Sequence, residues 1–198
     1  MSGEFLMSIP LKIIYEDNHC LAVAKPAGAL MIGDETGDET LLDLAKQWVR
    51  EKYHKPGDVF LGVVHRLDRP VSGVALYART SKAASRFSDQ FRRGSVEKTY
   101  NAWIDGGPPN GTHIWTDWLL KDRNSNTTSV VREDTPGARF CSLEFRVVSR
   151  SDRRSLVEIH PKTGRSHQIR VQFASRGFPI LGDVKYGGAR GTNSRAIA

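Results

Sequence analysis

A single carboxylate stands between two arginines in the stretch GVVHRLDRPVSG, residues 62–73. Asp68 follows an apolar run and precedes a proline and a glycine, which are typical of a turn held at the edge of a rigid scaffold. Nearby arginines favour an ionised carboxylate, whereas burial would raise its pKa. Asp68 is therefore a candidate nucleophile, general base or metal ligand. The alternative from this stretch alone is a carboxylate that braces a turn through salt bridges to Arg66 and Arg69.

A second group of polar residues lies in PKTGRSHQIR, residues 161–170. A glycine permits a turn here, and Ser166 is placed to cap the helix that follows. Arg165 is then presented near a helix N-terminus, which attracts anions. A phosphate or a carboxylate such as Asp68 fits this position. The alternative is ordinary capping with solvated charges.

The segment KTY, residues 98–100, follows a basic helix. Tyr100 could stack on a nucleobase and Lys98 could meet a phosphate, although a strand tyrosine is more often a packing residue. Neither His160 nor His167 has neighbours at convincing zinc-ligand spacing. We therefore expect no metal site.

The charge of the chain is unevenly distributed. Residues 1–60 contain 6 Lys/Arg and 10 Asp/Glu, whereas residues 61–198 contain 23 and 12. A sequence pI of about 9.6 with the basic residues concentrated in this way suits a polyanion partner, because each neutralised phosphate releases counterions. The alternative is a basic surface that only increases solubility.

Length and composition indicate an ordinary globular protein. The 198 residues fit a single domain spanning 1–198, with 39% hydrophobic and 26% charged residues. We expect residues 1–10 and 188–198 to be flexible, the latter because the chain looks truncated at its C-terminus. Neither a signal peptide nor a membrane span is evident, so we expect a cytoplasmic monomer that does not bind membranes. Cys20 and Cys141 lie in strand-like runs and are expected to be reduced.

The hydrophobic pattern predicts mostly strands with three interspersed helices. The predicted strands cover 12–17, 20–25, 59–64, 74–78, 98–104, 113–120, 128–132, 141–149 and 155–161. The predicted helices run from a Thr40–Asp43 capping box to about Tyr53, from a Ser81 cap to Gly94, and over 167–176. This order predicts an α+β fold around a mostly antiparallel central sheet with flanking helices and a catalytic cleft.

Taken together, these segments resemble the RluA family of RNA pseudouridine synthases. The resemblance rests on HRLDRPVSG, EKTY and TGRSHQIRVQ, supported by YEDNHCLAVAKPAG near the start and GFPILGDVKYG near the end. These motifs occur in the family's order and cover roughly residues 11–188. The resemblance implies the pseudouridine synthase fold, with ribosomal or transfer RNA as the partner.

The resemblance also implies a reaction and a set of residues. Uridine is isomerised without net redox change or group transfer, so no cofactor is needed. Asp68 would be the nucleophile, Arg165 would pair with it, and Tyr100 would pack against the uracil. Arg66 would fill the base stack after the target uridine flips out. The residues expected to contact RNA are His65, Arg66, Arg69, Lys98, His167, Gln168 and Arg170.

Some features depart from the family pattern or leave alternatives open. Residue 172 is Gln where many relatives have His. We also expect that no small N-terminal RNA-binding domain precedes the catalytic segment. The first alternative is a catalytically silent RNA-binding or ribosome-assembly factor on the same fold. The second is a metal-dependent nuclease that uses Asp68 and His65, which would lack the additional carboxylates such sites usually need.

Overall fold

The computed structural model describes residues 11–34 and 37–188. The predictions for residues 1–10, and for all but the first residue of 188–198, lie outside this part of the chain. Two compact units divide the chain at residues 93 and 94. The prediction of a single catalytic domain remains a prediction.

The first unit contains a four-stranded antiparallel sheet in the order β1-β2-β4-β3. Its strands are β1 (Lys12–Glu16), β2 (Cys20–Lys25), β3 (Gly62–Val63) and β4 (Gly73–Ala78). Two helices, α1 (Leu41–Lys52) and α2 (Ser81–Arg93), belong to the same unit. The core forms where the apolar face of α1 meets the central strands, with Leu21, Val23, Leu41, Ala45 and Tyr77 all buried.

Local sequence signals explain both helices of this unit. The predicted capping box is confirmed, since the Thr40 side chain accepts from the backbone of Asp43 and the Asp43 side chain accepts in return. The predicted Ser81 cap is wrong by one residue, because the backbone N–H of Ala83 donates to the hydroxyl of Thr80 at 3.1 Å. Gly94, where α2 was predicted to end, has a φ of 73°, a backbone conformation that favours glycine after a helix.

The predicted strand over 59–64 is shorter than expected. Only Gly62 and Val63 pair with β4, although Val59 and Leu61 are buried. The apolar residues before Gly62 are therefore buried in the core without being part of a strand. Gly62 is required here, because a Cβ at this position would lie 2.8 Å from the Cβ of Ala84 on α2.

The second unit contains a five-stranded antiparallel sheet in the order β5-β9-β8-β6-β7. Its strands are β5 (Tyr100–Asp105), β6 (Thr112–Asp122), β7 (Thr127–Val131), β8 (Arg139–Ser151) and β9 (Arg154–Pro161). Helix α3 (Gln168–Ala174) and a 3₁₀ turn (Val184–Tyr186) follow in the chain. Val171 of α3 packs with Leu119 and Cys141 of the sheet.

The start of α3 differs from the prediction. Ser166 does not cap the helix; His167 occupies the cap position with φ 53° and no side-chain cap bond. The Ser166 hydroxyl instead accepts from Lys121 Nζ at 3.0 Å. Both cysteines carry free thiols, as predicted, and no helix in the described ranges is long and apolar enough to cross a membrane.

Candidate active site

Asp68 begins a tight turn between β3 and β4. The carbonyl oxygen of Asp68 accepts from the backbone N–H of Val71 at 3.0 Å, so Arg69 and Pro70 form the corner of the turn. The side chain of Asp68 is only partly buried. The turn thus presents a carboxylate from a segment whose backbone is fixed.

A buried lysine that the sequence reasoning missed anchors this turn. Lys25, the last residue of β2, is 2% exposed. Its Nζ donates to the carbonyl oxygens of Val71 at 2.5 Å, Arg69 at 3.0 Å and Pro26 at 3.2 Å. One ammonium group therefore holds both sides of the turn. The signal available in the sequence was a lysine at the end of an apolar strand, directly before a proline.

Burial lowers the pKa of Lys25 to about 8, and the negative charge of Asp68 opposes this shift. An ammonium group loses solvation when it is buried, so the neutral amine becomes easier to form. Below pH 8 the site therefore contains a buried cation that interacts favourably with the candidate nucleophile.

Arg69, one of the two arginines next to Asp68, contacts two other loops. Arg69 donates from Nη2 to Asp38 Oδ2 at 2.8 Å and from Nε to the carbonyl oxygen of Gly28 at 3.1 Å. The N–H of Gly28 donates back to the carbonyl of Arg69 at 2.8 Å. Arg69 therefore joins two loops, while Arg66 is exposed. The prediction that Arg66 and Arg69 contact RNA remains a prediction.

His65 connects the Asp68 segment to its neighbours. Its Nε2 accepts from the backbone N–H of Leu76 on β4 at 2.9 Å, which requires the ring proton on Nδ1. Its ring stacks on Phe91 of α2 with centroids 5.0 Å apart. Burial lowers the pKa of His65 and favours this neutral form. The geometry gives His65 a role inside the protein, and the RNA contact expected for it is untested.

Arg165 lies in a loop that is fixed by a buried amide. Gln168 is 4% exposed, and its Oε1 accepts from Thr163 Oγ1 at 2.7 Å and from the N–H of Arg165 at 3.0 Å. Its Nε2 donates to the carbonyl of Ser142 on β8 at 3.0 Å. The Arg165 side chain is exposed and donates from Nε to the carbonyl of Phe140 at 2.9 Å. The loop therefore presents a cation above strand β8.

The helix after this loop is held by a buried ion pair. Arg170 donates to Asp183 from Nε at 2.6 Å and from Nη2 at 2.8 Å, and both side chains are almost fully buried. His167 Nδ1 lies 2.6 Å from the hydroxyl of Tyr186, whose ring is 5.0 Å from the Arg170 guanidinium. Gln168 and Arg170 thus make contacts within the protein. Their predicted RNA contacts, and that of His167, remain predictions.

The remaining predicted residues lie at the start of β5. Tyr100 is its first residue, is partly buried, and pairs in register with Ile159 of β9. Lys98 is also partly buried, which lowers its pKa. Among the described residues, His, Cys, Asp and Glu side chains form no group of three that could hold a metal ion.

Comparison with known proteins identifies the class of protein that this fold represents. Two solved human structures share it: RNA pseudouridylate synthase domain containing 4, with a TM-score of 0.76 and 24% identity, and domain containing 1, with 0.73 and 25%. The matches cover 93% and 95% of this chain, and 71% and 74% of the human chains. They confirm the predicted α+β fold class, although the strands form two antiparallel sheets.

The family model for RNA pseudouridylate synthase matches residues 19–175, and the chain belongs to this family. It is 34% identical over 182 residues to ribosomal large subunit pseudouridine synthase D of Zymomonas mobilis, covering 90% of this chain and 56% of that relative. It is also 34% identical over 178 residues to ribosomal large subunit pseudouridine synthase C of Vibrio vulnificus, covering 90% and 53%. The chain spans about half the length of these curated relatives. These relatives confirm the resemblance drawn from the motifs.

Proposed function

We propose that this chain isomerises uridine to pseudouridine in large-subunit ribosomal RNA, with Asp68 as the nucleophile. The observation that carries the proposal is the turn of Asp68, whose backbone is fixed by Lys25 while its carboxylate remains partly accessible. A nucleophile needs this combination of fixed position and access to substrate. Family membership and the names of the curated relatives support the choice of reaction and RNA.

The proposed reaction balances without a cofactor. Asp68 forms a covalent bond to the uridine, the bond between N1 and the ribose breaks, and the uracil rotates. A carbon–carbon bond then forms between C5 and the ribose, Asp68 is released, C5 loses its proton and N1 gains one. Tyr100 packs against the uracil, and Arg165 is the third proposed catalytic residue.

The protein's role before chemistry is to expose the target uridine. A base within folded RNA must leave its stack to reach a side chain on a protein surface. Arg66 is exposed two residues before Asp68 and is proposed to occupy the vacated space. Lys98 is proposed to contact a nearby phosphate. We propose that the protein acts as a cytoplasmic monomer.

The test is release of tritium from C5-labelled uridine in a large-subunit ribosomal RNA transcript. Asp68→Asn should abolish release, because a neutral amide cannot act as the nucleophile. Asp58→Asn is the matched control, since that side chain is fully exposed in the same unit and should leave release unchanged. Full release by Asp68→Asn would refute the nucleophile assignment. RNA binding by the wild-type protein without any pseudouridine would favour the silent RNA-binding factor.

A further inference from the structure

The charged residues of α2 lie along one side of the helix. Lys82, Arg86, Asp89 and Arg93 are spaced three or four residues apart, so they form a single row along the helix surface. Arg92 lies beside this row, where it pairs with Asp89. All four cations are exposed, and Asp89 is the only acid of the helix. We call this side, with four cations against one anion, the basic face of α2.

Two ion pairs fix part of the basic face without neutralising it. Arg93 Nε lies 2.7 Å from Asp89 Oδ2, and Arg92 pairs with the other oxygen of the same carboxylate. The Arg92 and Arg93 side chains nevertheless remain 78% and 74% exposed. Arg86 lines the same surface hollow as these two arginines. Because one carboxylate serves two guanidinium groups, and Lys82 and Arg86 add their own charges, the four cations and one anion leave the basic face with a net charge of +3.

The apolar residues of α2 lie on the opposite side of the helix. Ala83 is buried, and Phe87 and Phe91 are partly buried. A helix that binds a membrane inserts exposed apolar side chains into the lipid, and a protein partner usually needs an apolar centre to its interface. The basic face offers neither. Guanidinium groups instead form paired hydrogen bonds with phosphate oxygens, so the basic face suits a phosphate backbone.

The apolar side of α2 packs on the segment that leads to Asp68. Phe91 stacks on His65, three residues before Asp68, with ring centroids 5.0 Å apart. A helix with its side chains is about 10–12 Å across, so the basic face lies about one helix diameter from this contact. Helix α2 and Asp68 belong to the same unit. A ribosomal RNA substrate is much longer than this distance, so one molecule can reach both Asp68 and the basic face.

We propose that the basic face of α2 binds backbone phosphates of the RNA substrate. This inference rests on the proposed function, because it assigns the basic face to the same RNA. Phosphates are identical at every nucleotide, so these contacts carry no base information and contribute affinity rather than the choice of uridine. Each contact also releases counterions from the RNA, so the affinity that the basic face provides decreases as the salt concentration rises.

The first experiment measures the Kd of the large-subunit ribosomal RNA transcript as a function of salt concentration. Arg86→Gln removes one cation and keeps a good helix former. It should raise Kd about 5-fold at low salt and make the slope of log Kd against log salt shallower by about 0.7–0.9, the loss of one phosphate contact. Asp89→Asn removes the anion of the basic face and should lower Kd about 3-fold. Arg50→Gln is the matched control, since Arg50 is 52% exposed on α1 of the same unit and should leave Kd and slope unchanged.

The second experiment separates RNA from another anionic partner. Sedimentation with phosphatidylserine vesicles should leave the wild-type protein in the supernatant. Vesicle binding that Arg86→Gln weakens would assign the basic face to a membrane and overturn the proposal. Equal RNA affinities for Arg86→Gln and Arg50→Gln, or no tighter binding by Asp89→Asn, would also overturn it. Wild-type protein that binds the transcript with the expected salt dependence but forms no pseudouridine would instead refute the proposed function and leave the phosphate contact standing.

Discussion

In the first unit, the turn that carries Asp68 is anchored by the buried ammonium group of Lys25, whereas in the second unit the loop of Arg165 is anchored by the neutral amide of Gln168. Lys25 supplies donors to three backbone carbonyls. Gln168 supplies one donor and accepts two bonds. The second unit also buries charge, but does so in the Arg170–Asp183 pair next to the loop.

The two anchors should differ in how the stability that they provide depends on pH. A buried lysine retains a titratable proton, so the stability of the first unit should depend on pH at alkaline values. An amide does not titrate, and arginine stays protonated at any ordinary pH. The Gln168 anchor and the Arg170–Asp183 pair should therefore be sensitive to loss of a partner and insensitive to alkaline pH.

The largest expected effect is in the second unit. Arg170→Met should lower the free energy of unfolding by about 3–5 kcal/mol, because it leaves the carboxylate of Asp183 buried without its cation. Urea denaturation measures this loss. The control is Arg146→Met, which removes an exposed bidentate pair with Glu158 and should cost less than about 1 kcal/mol. Equal losses in the two variants would contradict the importance of burial.

The next largest effect is the pH dependence of the stability that the Lys25 anchor contributes. Lys25 has a folded-state pKa of about 8 against an ordinary 10.5, so between these values the unfolded chain binds more protons. Stability from this group therefore rises as pH increases from 8 to 10.5. The free energy of unfolding of the wild type, relative to Lys25→Met, should increase by up to about 3 kcal/mol across this range. Parallel stability curves for the two proteins would argue against a buried ammonium group.

A smaller effect is expected for the amide anchor. Gln168→Ala should cost about 2 kcal/mol, because Arg165 N–H, Thr163 and the Ser142 carbonyl each lose a buried partner. Thermal or urea unfolding measures the loss, with Gln47→Ala as the control on an exposed glutamine of α1. The cost should be the same at pH 7 and pH 10. A strongly pH-dependent cost would remove the distinction between the two anchors.

The smallest effect concerns acid pH in the first unit. Burial lowers the folded-state pKa of His65 below its ordinary 6.5, so the unfolded chain takes up this proton first as pH falls. Stability should therefore decrease below pH 6.5, since a protonated ring can no longer accept from Leu76. His65→Phe should show a shallower decrease between pH 7 and pH 5. The same slope in both proteins would assign the acid sensitivity to other groups.

Short-range signals in the sequence were sufficient for most of the secondary structure. The Thr40–Asp43 capping box and the strand 20–25 were predicted at their observed positions, because each depends on neighbours within a few residues. The start of α3 was predicted incorrectly. The Ser166 hydroxyl, which was expected to cap the helix, instead accepts from Lys121, and Lys121 lies 45 residues away in the chain.

The sequence by itself determined the family and named Asp68, Tyr100 and Arg165 as the candidate catalytic set, because these residues lie in recognisable motifs. Only the tertiary structure decided which polar residues hold those motifs in place. Lys25 reaches carbonyls 44 and 46 residues away, and Arg170 meets Asp183 across a buried contact. The physical reason is desolvation. A lysine or arginine in the sequence is normally predicted to be an exposed charge, and only the fold shows that it is buried and which partners offset the loss of solvation.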